Sequence, residues 1–300
     1  MPEATRDLVA ELEVQLRSHL ISSMQDPSGE LAVMRMVDLL GRWFNWRDRL
    51  VVPRARSVHE SSELLASQEA QDNAQYLTQI KSEISAGYDL TQRLSTRVSS
   101  AYIPSAEQGP LHHRRDLDLL LSDWGIHHLH LVHAPQRTDL LLFVVFRPDN
   151  AYLLQLLPHG SWTDQSLVEI IIRNWPDAGL LMSQLNGAVG LSQTYTEEER
   201  QQLRQAGVSV ILEIDGGVYL PRGMSMAGMA ISSTMRGDQI MRALQAQREQ
   251  LSSDPTALDV FIRSKGYPLA GVGVWEPYIG DGKFGFLEPT AMYRIPVGFL

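Results

Sequence analysis

Helical spacing of apolar residues through the first hundred positions, and short apolar runs joined by turn sequences beyond them, predict an α+β fold. The expected division is a helical N-terminal region over 1–108, followed over 109–300 by a mixed domain with antiparallel strands and hairpins. At 300 residues the chain is long enough for more than one core.

Leu8, Leu12, Leu16 and Leu20 recur every four residues with Val9 beside them, which is one apolar helix face. Pro27-Ser28-Gly29 breaks it. Val33, Met34, Val37, Leu40, Gly41 and Phe44 follow at spacings of three and four and predict a second helix. Ser57 stands three residues before Glu60, the spacing of a capping box. A third helix is therefore expected from Ser57 through Leu64, Leu65, Tyr76, Leu77, Ile80 and Ile84, stopped by Gly87. Leu90, Leu94 and Val98 predict a short fourth. Residues 99–110, with Pro104, Gly109 and Pro110, read as a linker.

Beyond the linker the character changes. A helix is expected over 115–123, with Leu117, Leu120, Leu121 and Trp124 inward. Strands are expected over 126–133, 140–147 and 151–157, the last two joined across Pro148-Asp149-Asn150. Thr163 or Asp164 can cap a helix carrying Leu167, Ile170, Ile171 and Trp175. Further helices are expected over 196–205, over 234–251, and between Asp254-Pro255 and Gly266. Asp215-Gly216-Gly217 and Gly280-Asp281-Gly282 each sit between apolar runs and predict hairpins.

Composition narrows the function. Hydrophobic residues at 44% and charged residues at 20% are ordinary for a folded globular chain. The longest apolar run, 140–146, is far too short to cross a bilayer. Met1-Pro2-Glu3 opens no basic-then-apolar leader, so a cytoplasmic location is expected, with no membrane partner. With no cysteine, disulfides and zinc–thiolate sites are excluded. A net charge of −9 excludes nucleic-acid binding by bulk electrostatics and leaves only a local basic patch. No cofactor is expected: Gly271-Val272-Gly273 does not extend to a dinucleotide fingerprint, and Gly280-Asp281-Gly282-Lys283 is a turn.

Seven of the nine histidines lie between His112 and His159, and their centre is Ile126-His127-His128-Leu129-His130-Leu131-Val132-His133. In a strand, Ile126, His128, His130 and Val132 share one face, while His127, Leu129, Leu131 and His133 share the other. The leucines assign the second face to a core and leave His128 and His130 side by side on an open one. Two imidazoles so placed can act as base and acid on one substrate. His-x-His also suits a metal, with His159 as third ligand. The bland alternative is that each histidine is simply hydrogen-bonded or exposed.

The order of a helix, a histidine-bearing strand, a hairpin over 140–157, a polar residue and a helix resembles the sheet of RelE-type bacterial ribonuclease toxins, within the barnase-like and EndoU-like group. The run Asp123-Trp124-Gly125-Ile126-His127-His128-Leu129-His130-Leu131 is also similar to one in uncharacterised bacterial proteins of mobile-element or phage-defence neighbourhoods. The resemblance covers about 116–175. It implies a metal-independent ribonuclease of toxin or phage-defence type, with His128 and His130 at the acid/base position. Arg147 would neutralise a phosphate, and His159 would protonate the leaving oxygen. Those toxins are small, basic and free-standing, whereas this chain is long and acidic.

RNA would then need a local basic funnel. Arg42, Arg47, Arg49, Arg54 and Arg56 fall within fifteen residues, interleaved with Trp43, Phe44 and Trp46, and Arg114 and Arg115 lead into the histidine strand. Arginine with aromatic side chains is what single-stranded RNA binding uses. The bland alternative places the aromatics in the core. Gly223-Met224-Ser225-Met226-Ala227-Gly228 is one residue short of a hydrolase elbow. Two rival readings stand beside the ribonuclease. One is a metal-dependent hydrolase with His128, His130 and His159 as ligands. The other is a non-enzymatic module that docks a protein partner through the N-terminal helices, which in any reading are expected to regulate or target.

Overall fold

The computed structural model describes residues 6–24, 29–95, 98, 117–136, 138–176, 183–269 and 274–300, and its fold is α+β. Helix α1 (Leu8–Met24) buries Val9, Leu12, Leu16, Leu20 and Met24, the face the spacing predicts. The expected second helix is two: α2 (Glu30–Val33) stops where Met34 is extended, and α3 (Met36–Arg49) follows. Val33, expected inside, is 87% exposed.

A larger correction falls at Ser57. Residues Ser57–Glu60 form strand β1, paired in parallel with 150–153, and start no helix. Ladder bonds to a partner about ninety residues away, with Val58 packed on the core, outweigh a local capping pattern. The helices begin later. Ser61 caps α4 (Ser62–Ala66) and Ser67 caps α5 (Gln68–Asp72), each hydroxyl accepting the N–H three residues on. Helix α6 (Ala74–Ala86) ends on Gly87 as expected, at φ +77, where a Cβ would come within 2.4 Å of the Ala55 backbone nitrogen. Leu90, Leu94 and Val98 are buried, but Thr91–Arg93 is a 3-10 turn.

Helix α7 (Leu119–Trp124) leads into β2 (His127–His130), β3 (Leu140–Phe146) and β4 (Asn150–Pro158). Next come α8 (Ser166–Asn174), β5 (Ser183–Gln184), α9 (Glu197–Gln205), β6 (Leu212–Ile214) and β7 (Gly217–Leu220). The chain finishes with α10 (Ile231–Ser253), α11 (Ala257–Ser264), β8 (Glu276–Gly280), β9 (Lys283–Glu288) and β10 (Tyr293–Phe299). Between β6 and β7, Asp215 and Gly216 are both at positive φ, as an Asp-Gly hairpin requires. β10 extends the second expected hairpin to three strands.

The chain divides into two compact units, Met1–Trp43 with Met235–Leu300, and Phe44–Thr234. The division falls within α3 and α10 and not at 108, a position among residues 99–116 that lie outside the described ones, as does the expected linker. β1 and α4–α6, expected in a separate N-terminal region, share a unit with the histidine strand. In the first unit α1 packs against β8, and Arg6 donates to the Trp275 carbonyl at 2.9 Å.

The second unit is built on a four-stranded sheet, β1-β4-β3-β2, antiparallel except for β1. One face packs Leu129, Leu142, Val144 and Leu153 against Leu64, Leu77, Ile80 and Ile84. The other packs Ile126, Leu141, Phe143, Val145 and Leu154 against Trp124, Leu167 and Ile171, with Leu212 and Ile214 from the small sheet β5-β7-β6. The side-chain alternation along β2 is the expected one, with Leu129 and Leu131 at 0% and 1% exposure. The face carrying His128 and His130 was expected to be open and is instead covered by this second core. No described helix is long and apolar enough to cross a membrane.

Leu129→Ala should destabilise the protein by roughly 2–5 kcal/mol in urea denaturation, whereas Val33→Ala on the exposed position should stay within about 0.5 kcal/mol. Equal effects would contradict the packing of β2.

Candidate active site

Asp118 starts the site. It is the N-cap of α7, and its Oδ1 accepts the Leu121 N–H at 3.0 Å. Gly125, left-handed at φ +71, ends α7 and turns the chain into β2. This short helix and tight turn bring Asp118 Oδ2 to 3.6 Å from Nδ1 of His128. The His128 side chain is half-buried, at 16% exposure.

Trp162, in the loop after β4, gathers the rest. Its indole lies 4.8 Å from the His128 ring and 5.0 Å from the His159 ring, centroid to centroid, and 6.0 Å from Phe143. His159 is exposed and anchored through its backbone N–H to the Asp139 carbonyl at 2.8 Å. Helix α9 fixes the loop: Arg204 donates to the Trp162 carbonyl, and Arg200 donates to that of Thr163 at 3.4 Å. Arg204 also pairs with buried Asp123 at 2.9 Å and lies over the Trp124 ring at 4.3 Å.

Burial pushes the His128 imidazole below its ordinary range, against the pull of Asp118 and with help from His159 and Arg49. His128 is therefore neutral near pH 7 and available as a base, with a carboxylate behind it to stabilise the proton it takes. Burial likewise takes His127 down to about 4. The His127 Nε2 donates to the Asp48 carbonyl at 3.1 Å, so that ring serves structure. Burial also raises Asp123 and lowers Arg204, each offset in part by the other.

Of the residues singled out in the sequence, His128 and His159 come together. His130 shares the face of His128 but is only 4% exposed, sealed by the second core, so the expected His128–His130 pair is replaced by His128–His159. Arg147 follows the end of β3, four residues beyond Phe143, the partner of His128, about 13 Å at strand spacing. Its neighbours are Arg222 and Tyr152. Among the described residues no three His, Asp or Glu side chains form a metal-ligating set, His128, His130 and His159 included.

The arginine cluster holds a corner of the sheet. Arg54 pairs with Asp149 at 2.6 Å, and Arg56 donates to the carbonyls of Arg147, Arg54 and Val52. Arg49 is buried and Arg47 half-buried, both on α3. Trp43 and Phe44 are core, and half-buried Trp46 donates to the Val98 carbonyl at 3.2 Å. Arg114 and Arg115 lie outside the described residues. Ser225 sits in a turn closed by the Gly228 N–H on its own carbonyl, not at a strand-to-helix elbow. Asp118 and Trp162 are the members that sequence reasoning missed. The N-cap position of Asp118 was the one local signal for either.

Acidification should destabilise the protein. His127 binds its proton near 6.5 unfolded and near 4 folded, so between those values the unfolded state holds more protons. Stability is full above pH 6.5 and declines toward pH 4, by up to about 3 kcal/mol from this group. His127→Gln, which can still donate to Asp48, should reduce the drop in melting temperature between pH 7 and pH 5; an unchanged drop would remove His127 as its source. Separately, Arg204→Met should cost about 3–5 kcal/mol by leaving Asp123 buried without its partner. Adding Asp123→Leu should restore most of that in chemical denaturation.

Neither a family model, nor a curated protein, nor a solved structure matches this chain, so the chemistry of the site rests on its own geometry.

Proposed function

We propose that the chain is a metal-independent ribonuclease acting through Asp118, His128 and His159. The carrying observation is that two imidazoles pack on one indole, the inner one backed by a carboxylate. His128, held neutral by burial with the Asp118 carboxylate 3.6 Å from its Nδ1, takes the proton of a ribose 2′-hydroxyl. That oxygen attacks the adjacent phosphorus, and His159 gives a proton to the departing 5′-oxygen. The products are a 2′,3′-cyclic phosphate and a free 5′-hydroxyl. This chemistry needs one base and one acid, which is what the cluster supplies. The half-buried Trp162 ring offers a face on which a base can stack. Assignment to the toxin or phage-defence kind, and to the cytoplasm, rests on the sequence resemblance and composition.

Incubation with total RNA tests the proposal. His128→Asn and His159→Asn should each lower the cleavage rate on the order of a hundredfold or more, with melting temperatures little changed. Asp118→Asn, which keeps the helix cap, should lower it less. EDTA should leave the rate of the intact protein unchanged. No cleavage by the intact protein, or cleavage that survives both histidine changes, would end the proposal.

A further inference from the structure

Beside the loop that carries Trp162, a cavity of about 140 Å³ opens between α9, β6 and the segment preceding α9. One water needs only about 10–15 Å³. No histidine lines it, and it is distinct from the acid–base cluster. Its walls carry two opposite charges that do not meet. Arg200 is 7% exposed, and its guanidinium donates only to neutral oxygens: the Thr163 carbonyl, Gln165 Oε1 at 3.1 Å and the Tyr195 carbonyl at 2.5 Å. Among the described residues no carboxylate lies within ion-pair distance of it. Its neighbour one turn on, Arg204, has Asp123. Glu213 is half-buried, with Oε2 accepting the Leu191 N–H at 2.8 Å, and among the described residues no cation pairs with it. Leu191, Val210, Ile211 and Leu212 give the lining an apolar part, beside the polar Gln165, Thr194 and Tyr195.

Glu197, Asp164 and Glu169 act on the Arg200 guanidinium only through space. With every hydrogen bond going to a neutral acceptor, part of its desolvation cost stays unrecovered, and a directly paired counter-ion is the usual remedy. A simple anion would also meet Glu213, and a simple cation would meet Arg200. A molecule that carries both charges satisfies both residues. We propose that this cavity binds a small zwitterion, a free aliphatic α-amino acid, whose carboxylate pairs with Arg200, whose ammonium pairs with Glu213 and whose side chain lies on Leu191, Val210 and Leu212.

Calorimetric titration of the full chain with L-valine tests this, with 3-methylbutanoate and isobutylamine as analogues that each lack one charge. L-valine should bind saturably at one site with a Kd at or below about 1 mM, and each analogue at least about tenfold more weakly. Glu213→Gln keeps an oxygen for the Leu191 N–H. It should weaken L-valine by a similar factor without weakening 3-methylbutanoate. Arg200→Met should abolish binding of both acids. Because Arg200 also holds backbone carbonyls, Glu213→Gln carries the test if that variant does not fold. Absence of saturable binding by L-alanine, L-valine and L-leucine up to about 10 mM would overturn the proposal. So would 3-methylbutanoate binding as tightly as L-valine, which would mark a plain anion site. RNA cleavage is not the readout, so either proposal can fail without the other.

Discussion

Strand β3 is buried on both sides, and the architecture of the second unit follows from that. Leu141 through Val145 are at most 1% exposed. Successive side chains point to opposite faces, so each face must have its own cover. α4–α6 supply one cover; α7, α8 and the β6–β7 hairpin supply the other. Such a strand has to be central, with β4 and β2 as its two neighbours. The strand histidines of this sheet accordingly lie on its two outer strands. His59 on β1 donates to Asn150 and stacks on Tyr152 at 4.9 Å, while the histidine run occupies β2. Only at such an edge can an imidazole lie on a covered sheet face and still reach solvent.

The same constraint grades the β2 histidines. His128 lies opposite Phe143 and His130 opposite Leu141. Toward His130 the edge is closed: Arg93, ion-paired with Glu83, donates to the Leu131 carbonyl at 2.8 Å, and His133 meets the same carboxylate at 3.2 Å. Toward His128 the Trp162 indole on its loop is part of the cover, and that side chain keeps 16% of its surface exposed. Burial deep enough to keep His128 neutral and shallow enough to admit a substrate is thus a property of its place on the edge and of how firmly Trp162 is held.

What was legible in the sequence and what was not separate along the same physical line. Periodicity found the α1 face and the Leu129/Leu131 core face, and turn residues found the Asp-Gly hairpin, because each depends on a few neighbouring residues. It also placed His128 and His130 on one face. Alternation says which side a residue takes but not what covers that side, and the core on the face of His128 and His130 draws on α8 and β6, tens of residues away. Ser57–Glu60 failed for a similar reason: the capping spacing is local, while the ladder that claims these residues starts at Asn150. Arg54 and Arg56 looked like a basic patch until Asp149 and the Arg147 carbonyl engaged them. Trp162 was in plain view beside His159, but the arginines that aim it lie about forty residues on.

Those arginines give α9 two roles at once. Arg200 and Arg204 are spaced by four, so they project from one helix face, and they hold the consecutive carbonyls of Thr163 and Trp162. Arg204 is fixed from behind by Asp123 and Trp124, in a buried pair whose disruption is costly. Arg200 has no such tether, and its Thr163 bond is long at 3.4 Å. The two grips on the Trp162 loop are therefore unequal. The Trp162 end is locked to the core of the unit, whereas the Thr163 end depends on a guanidinium whose neutral contacts compete with whatever occupies the neighbouring cavity.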